Sequence, residues 1–166
     1  MLDRLAGNEA MKQHLQAALA GGKLAHSLLL CGEKGCGAGF AARCLAADYL
    51  YPQGGPAAEA VLAGQAPECL EVRGEGASGQ IRIERIRQVR EEVFHSALSA
   101  QGRVVLLYGA QNLNSASANA LLKVLEEPPE GVLFLLTASS PAAVLATIRS
   151  RCAAYDLSPL PPAQCA

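Results

Sequence analysis

The eight residues Gly32-Glu33-Lys34-Gly35-Cys36-Gly37-Ala38-Gly39 carry the spacing of a phosphate-binding loop from which the reactive side chains are missing. In the pattern G-x-x-x-x-G-K-[ST], backbone N–H groups cradle phosphate oxygens. The lysine brings a cation to the terminal phosphates, and the hydroxyl holds Mg²⁺. Gly32 and Gly37 stand at the two glycine positions. Ala38 stands where the lysine belongs and Gly39 where the hydroxyl belongs. Lys34 lies inside the loop, at a position that does not replace the missing lysine.

Such a loop needs a strand before it and a helix after it. Leu28-Leu29-Leu30-Cys31 is an apolar run that reads as a strand over 27–31, and a helical pattern runs from near Phe40 through Leu45 and Leu50. Upstream, Asn8 is placed to cap a helix over 9–19, with Met11, Leu15 and Leu19 at helical spacing and Gly21-Gly22 as its stop. Downstream, residues 51–65 read as a connection with one short helix, and 69–72 as a short strand. Residues 74–79 read as a loop. Ile83, Ile86, Val89 and Val93 recur on one helical face, with Arg85, Arg87, Arg90, Glu91 and Glu92 on the other, so this is an amphipathic helix whose apolar face belongs to the core. Residues 104–107 and 132–137 are buried strands. Between them a helix starts at Asn114 or Ser115 and stops at Pro128-Pro129. A short helix over 144–150 leads to a last strand over 153–157. Five strands of this kind, alternating with helices, predict an α/β fold: a five-stranded parallel sheet with helices on both faces.

The chain has 166 residues, 51% of them hydrophobic, with a formal net charge of −1. That length fits one domain able to bury roughly 70% of its unfolded surface. The charge excludes a broadly basic nucleic-acid binder, because that binding rests on neutralising phosphates. No basic leader with an apolar core opens the chain and no 18-residue apolar run occurs, so a soluble, cytoplasmic protein without membrane contact is expected. Cys31, Cys36, Cys44, Cys69, Cys152 and Cys165 form no C-x-x-C pair and read as small buried apolar residues in a reducing compartment.

Gly7-Asn8-Glu9, Leu24-Ala25-His26, the run Ser117-Ala118-Asn119-Ala120-Leu121-Leu122-Lys123-Val124-Leu125-Glu126-Glu127-Pro128-Pro129, and Ser150-Arg151-Cys152 together resemble the AAA+ family of bacterial replicative clamp loaders. The resemblance covers almost the whole chain and implies a P-loop NTPase-type AAA+ base domain over 1–158. Residues 159–166, proline-rich, would begin a linker to lid and collar domains that this chain does not contain.

The resemblance also says where a hydrolysing subunit would carry an acidic pair: at the end of the third strand, one carboxylate for the metal and one for the attacking water. Tyr108 and Gly109 stand there. Four functional positions are therefore lost together, Ala38, Gly39, Tyr108 and Gly109. The pattern resembles the non-hydrolysing member of the loader, with no ATPase of its own inside a polymerase holoenzyme. The loop residues Gly32, Gly35, Gly37, Ala38 and Gly39 are expected to hold no nucleotide cofactor.

In this family the arginine of Ser-Arg-Cys acts in trans, as a finger on ATP held by a neighbouring subunit. Arg151, flanked by Ser150 and Cys152, is the matching residue. Guanidinium stabilises charge developing on a transferred phosphoryl group. Read from spacing alone, Arg151 is an exposed or ion-paired residue at a helix end, and Arg149 an interface or surface residue. Ser139 falls at the family's phosphate-sensing position, with satisfaction of loop backbone as the plainer role. Lys123 is an exposed helix lysine or a phosphate contact, and His26 a satisfied edge histidine. Related loaders carry a four-cysteine zinc module where residues 51–68 stand; that segment has no cysteine, so no zinc is expected.

The implied partners are the ATPase subunits and a delta subunit in a heteropentameric ring, the sliding clamp, and primed DNA through the assembled complex. The isolated domain is expected to be a monomer. Two other functions stay open: a weak nucleotide-binding sensor or ATPase, and an AAA+-derived interaction domain outside replication.

Overall fold

Short runs of apolar residues become strands covered on both faces. The computed structural model describes residues 1–95 and 102–158, so the 159–166 linker lies outside the described residues. Five strands are described: β1 (Ser27–Cys31), β2 (Cys69–Val72), β3 (Arg103–Tyr108), β4 (Val132–Ala138) and β5 (Ala153–Asp156). They form one all-parallel sheet in the order β2-β3-β4-β1-β5. β1 pairs with β4 on one side and β5 on the other, while the chain leaving β1 crosses to the far edge at β2. That reversal opens a crevice at the carboxyl ends of β1, β3 and β4, the place where parallel sheets hold ligands.

The helices are α1 (Glu9–Ala20), α2 (Ala38–Leu50), α3 (Pro56–Leu62), α4 (Ile83–His95), α5 (Ser115–Glu126) and α6 (Ala146–Arg149). Alternation along each strand divides the core in two. Leu28 and Leu30 of β1 pack with Leu15 of α1, Leu45 of α2 and Val61 of α3. Leu29 and Cys31 pack with Val89 of α4, Leu121 of α5 and Ile148 of α6. Each fully buried leucine contributes about 2 kcal/mol of transfer free energy, so both faces of the sheet must be covered by helices. The α4 stripe of Ile86, Val89 and Val93 is buried, as a core face should be.

Two local expectations change. Asn8 does not cap α1: it sits at φ +53 with no side-chain capping bond. Its carboxamide instead pairs with the backbone of Ser158, accepting from Ser158 N at 2.8 Å and donating to Ser158 O at 3.4 Å. A distant backbone segment has outcompeted the local cap. The helix expected over 144–150 shortens to Ala146–Arg149, because Val144 is extended and buried, and the turn before it is a 3-10 turn, Pro141–Ala143. By contrast α5 starts as expected. Asn114 Oδ1 accepts from Ser117 N at 2.9 Å, and Ser117 Oγ accepts from Asn114 N at 3.1 Å, a reciprocal cap. Among the described residues no helix is long and apolar enough to cross a membrane.

Candidate functional site

The loop after β1 closes on itself. Gly32 N donates to Ala138 O of β4 at 3.0 Å, and Cys36 N to Glu33 O at 3.0 Å. Gly35 and Gly37 adopt φ of +91° and +89°, a region that side chains with a β-carbon rarely enter. A β-carbon on Gly32 would stand 2.2 Å from Cys36 Sγ, so the buried thiol folds back onto a residue that must lack one. Gly37 O then accepts from Ala41 N at 2.8 Å and α2 begins.

Above the loop lies a cleft of about 330 Å³. Lys34, Ala38 and Gly39 line one side; Gly109, Gln111, Thr137 and Ser139, from the ends of β3 and β4, line the other. The structure thus brings the loop, the second acidic-pair position and Ser139 together. Gln111 Oε1 is buried there without a hydrogen-bond partner among the described residues.

Tyr108, where the resemblance places the first carboxylate, is held in a polar cluster. The Tyr108 ring lies against Gly39, with Cε1 3.4 Å from where a β-carbon on Gly39 would stand. Arg43 is four residues further along α2, one turn above Gly39 on the same face. Its Nε donates to Tyr108 Oη at 3.0 Å and to Glu71 Oε1 at 3.1 Å, and its Nη1 to Leu62 O at 3.2 Å. The Tyr108 hydroxyl donates to Glu71 Oε1 at 3.1 Å. Arg43 and Glu71 form an ion pair at 3.0 Å, and the Arg73 guanidinium stacks 4.0 Å from the centre of the Tyr108 ring. Burial pushes the Tyr108 hydroxyl up to about 12, so at neutral pH it is a donor and not an anion. β2, β3, α2 and the end of α3 are tied together at one point.

Gly109 leaves no easier route to a carboxylate. Its φ is +81, and a β-carbon there would meet Asn112 Nδ2 at 2.8 Å. Its N–H donates to Thr137 O at 3.1 Å and to Thr137 Oγ1 at 3.3 Å. The residues present do not fit Mg²⁺. The hydroxyl position is a bare glycine, one carboxylate position is a tyrosine ring with its oxygen already bonded, and the other is a glycine in a backbone conformation that a carboxylate residue would adopt only under strain. What remains at those positions is a backbone cradle at a helix N-terminus, which favours an anion; Glu33, Gln111 and Ser139 also line the cleft but stand at none of them.

Arg151 does not line this cleft. It is exposed, after α6, and its Nη2 pairs with Glu126 Oε1 at 3.2 Å. Ser150 Oγ donates to Thr147 O at 3.0 Å, and Arg149 Nη1 to Pro141 O at 2.8 Å, so Arg149 braces the segment behind Arg151. Burial pushes the Cys152 thiol up to about 12, which makes it an unreactive packing group beside the second core cluster. His26 Nδ1 lies 2.8 Å from Ser27 Oγ, so the histidine is satisfied as expected, but it precedes the interior strand β1 and not a strand at the sheet edge. The sequence reading passed over Arg43, Glu71, Gln111 and Glu126. Arg43 carried a signal, being the single charge in the first ten residues of an otherwise apolar helix.

A sequence profile for "DNA polymerase III, delta subunit" matches residues 7–161. The chain belongs to that family. The family's base-domain fold is what the sheet order and the loop describe. A DNA polymerase III subunit gamma/tau from Mycobacterium bovis is 34% identical over 166 residues, covering 95% of this chain and 28% of the relative. A DNA polymerase III subunit delta' from Yersinia pestis is 44% identical over 92 residues, covering 55% of this chain and 27% of the relative. In structure, a DNA polymerase III gamma subunit-related protein from Thermotoga maritima superimposes with a TM-score of 0.70 at 24% identity, over 90% of this chain and 47% of that one; at that identity it speaks for the fold. This chain therefore spans between about a quarter and a half of the length of these relatives.

Proposed function

We propose that this chain is the AAA+ base domain of a delta-prime-type clamp-loader subunit of DNA polymerase III, one that hydrolyses no ATP itself and presents Arg151 to ATP on a neighbouring subunit. The observation that carries the first half is the Tyr108 ring on Gly39, held by Arg43 and Glu71. Two metal-ligand positions have changed into a matched packing pair, which a subunit under demand to bind Mg·ATP would not keep. Membership of the family and the Ser150-Arg151-Cys152 motif support the second half. So does the position of Arg151, exposed and away from this chain's own cleft, where only another molecule's phosphates come within reach.

On this reading the subunit is a fixed wall of a cytoplasmic heteropentameric ring, with the ATPase and delta subunits as neighbours and the sliding clamp and primed DNA as the load. Residues 1–158 form the base domain and 159–166 start its linker. The retained cradle of Gly32, Gly35 and Gly37 is a structural turn. The testing experiment is Arg151→Ala in a reconstituted loader, read as ATP turnover at the adjoining subunit. Loss of a finger slows that interface by about 10³–10⁵. An unchanged rate at that interface would overturn the assignment.

A further inference from the structure

We propose that Glu126 is the positioning residue for the Arg151 guanidinium, an inference that rests on Arg151 acting in trans. The two side chains meet at 3.2 Å through Nη2 and Oε1, and are 45% and 50% exposed. An exposed ion pair adds little to folding, so its consequence lies in orientation. Arg151 sits on a short turn between α6 and β5, and a long side chain there samples many rotamers. Glu126 is the last residue of α5, an element held at both ends. The Asn114–Ser117 reciprocal cap fixes its start, Leu121, Val124 and Leu125 bury its flank, and Pro128-Pro129 stop its continuation. A carboxylate at that point is presented by rigid backbone, next to helix carbonyls whose dipole also favours a cation.

Only one of the five guanidinium N–H donors is spent on Glu126. The others remain for a phosphate that approaches from outside. Arg149 is directed elsewhere: its Nη1 donates to Pro141 O at 2.8 Å, while the Glu126 carboxylate pairs with Arg151. The arrangement is a carboxylate on a rigid element aiming a cationic side chain at an incoming anion, as outer residues orient metal ligands.

The test uses reconstituted loaders carrying the full subunit as Glu126→Ala, Glu126→Gln, Arg151→Ala, or Glu126→Ala with Arg151→Ala. ATP turnover at the adjoining subunit is split into kcat and KM. Glu126→Ala is expected to lower kcat about tenfold, the cost of a misplaced group. KM for ATP and the thermal midpoint stay where they were. Glu126→Gln, which keeps the size and removes the charge, lowers kcat in the same direction. The double variant is no slower than Arg151→Ala alone, since both act through one group. An unchanged kcat in Glu126→Ala beside a large loss in Arg151→Ala would overturn the role of Glu126 alone, as would additive losses in the double variant. No loss in Arg151→Ala would overturn the trans reading on which it stands.

Discussion

Tyr108 and Gly39 form a matched pair: the ring edge lies 3.4 Å from the point where a β-carbon on Gly39 would stand. They come from opposite sides of the crevice, one from the end of β3 and one from the first turn of α2. On the proposed reading, the same two positions would carry the metal's carboxylate and hydroxyl ligands in a hydrolysing subunit. Here an aromatic ring rests on bare backbone, and Arg43, Glu71 and Arg73 hold that ring in place.

Gly39→Thr should expose that pairing. A β-carbon alone would only touch the ring, but the γ-atoms of a branched side chain pushed towards it overpack the site, at a cost of about 1–3 kcal/mol. Urea denaturation measures it. Adding Tyr108→Ala should recover part of the Gly39→Thr loss relative to the sum of the single changes, because the residues touch. Strict additivity would mean that the ring does not rest on Gly39.

Tyr108→Phe isolates the hydroxyl. It removes a hydrogen bond from Arg43 and one to Glu71, while the Arg43–Glu71 ion pair survives. The expected loss is about 1–2 kcal/mol, the scale of one or two partly buried hydrogen bonds. It should appear as a lower denaturation midpoint at an unchanged slope. A neutral result would show that the hydroxyl is equally well served by water.

The sheet, its strand boundaries within a residue or two, and the buried stripe of α4 were legible because apolar runs and period-3.6 apolar patterns report burial directly; which helix covers which face of the sheet was not. The gaps at Ala38 and Gly39 were legible for a different reason: the loop motif states which atoms must be present, and their absence is visible residue by residue; Tyr108 and Gly109 were singled out only by the family resemblance. What filled the gaps was not legible. Arg43 and Glu71 are 28 residues apart, and nothing local says that a helix arginine and a strand glutamate meet over a tyrosine ring. Asn8 was misread for the same reason. Its type fits a cap, but its partner, Ser158, is 150 residues away. The Arg151–Glu126 contact joined two motifs recognised separately, and only the packing of α6 beside α5 brings them together.

Alkaline pH should unfold this domain earlier than neutral pH. Burial pushes the thiols of Cys31 and Cys44 up to about 11, and the thiols of Cys69 and Cys152 and the Tyr108 hydroxyl up to about 12. In the unfolded chain thiols titrate near about 8.5 and tyrosine near about 10. Above those values the folded state holds protons that the unfolded state has released, so unfolding gives up protons and stability falls as pH rises. The contribution is complete below about pH 8.5 and is lost progressively towards about pH 12. Denaturation midpoints that stay flat between about pH 8 and pH 11 would contradict the burial of these groups.

Arg151→Ala should leave the isolated domain as stable as before, within about 0.5 kcal/mol, since its partner Glu126 is equally exposed. Thermal melting checks this. A large destabilisation would make Arg151 a structural residue and remove the ground for assigning it an action on another subunit.

The most direct measurement is calorimetric titration of Mg·ATP into this chain, up to millimolar nucleotide. A crevice whose metal positions are a glycine and a bonded tyrosine should give no saturable heat. One-to-one binding that requires Mg²⁺ would contradict the account, because the metal would then have found ligands where Gly39, Tyr108 and Gly109 offer none.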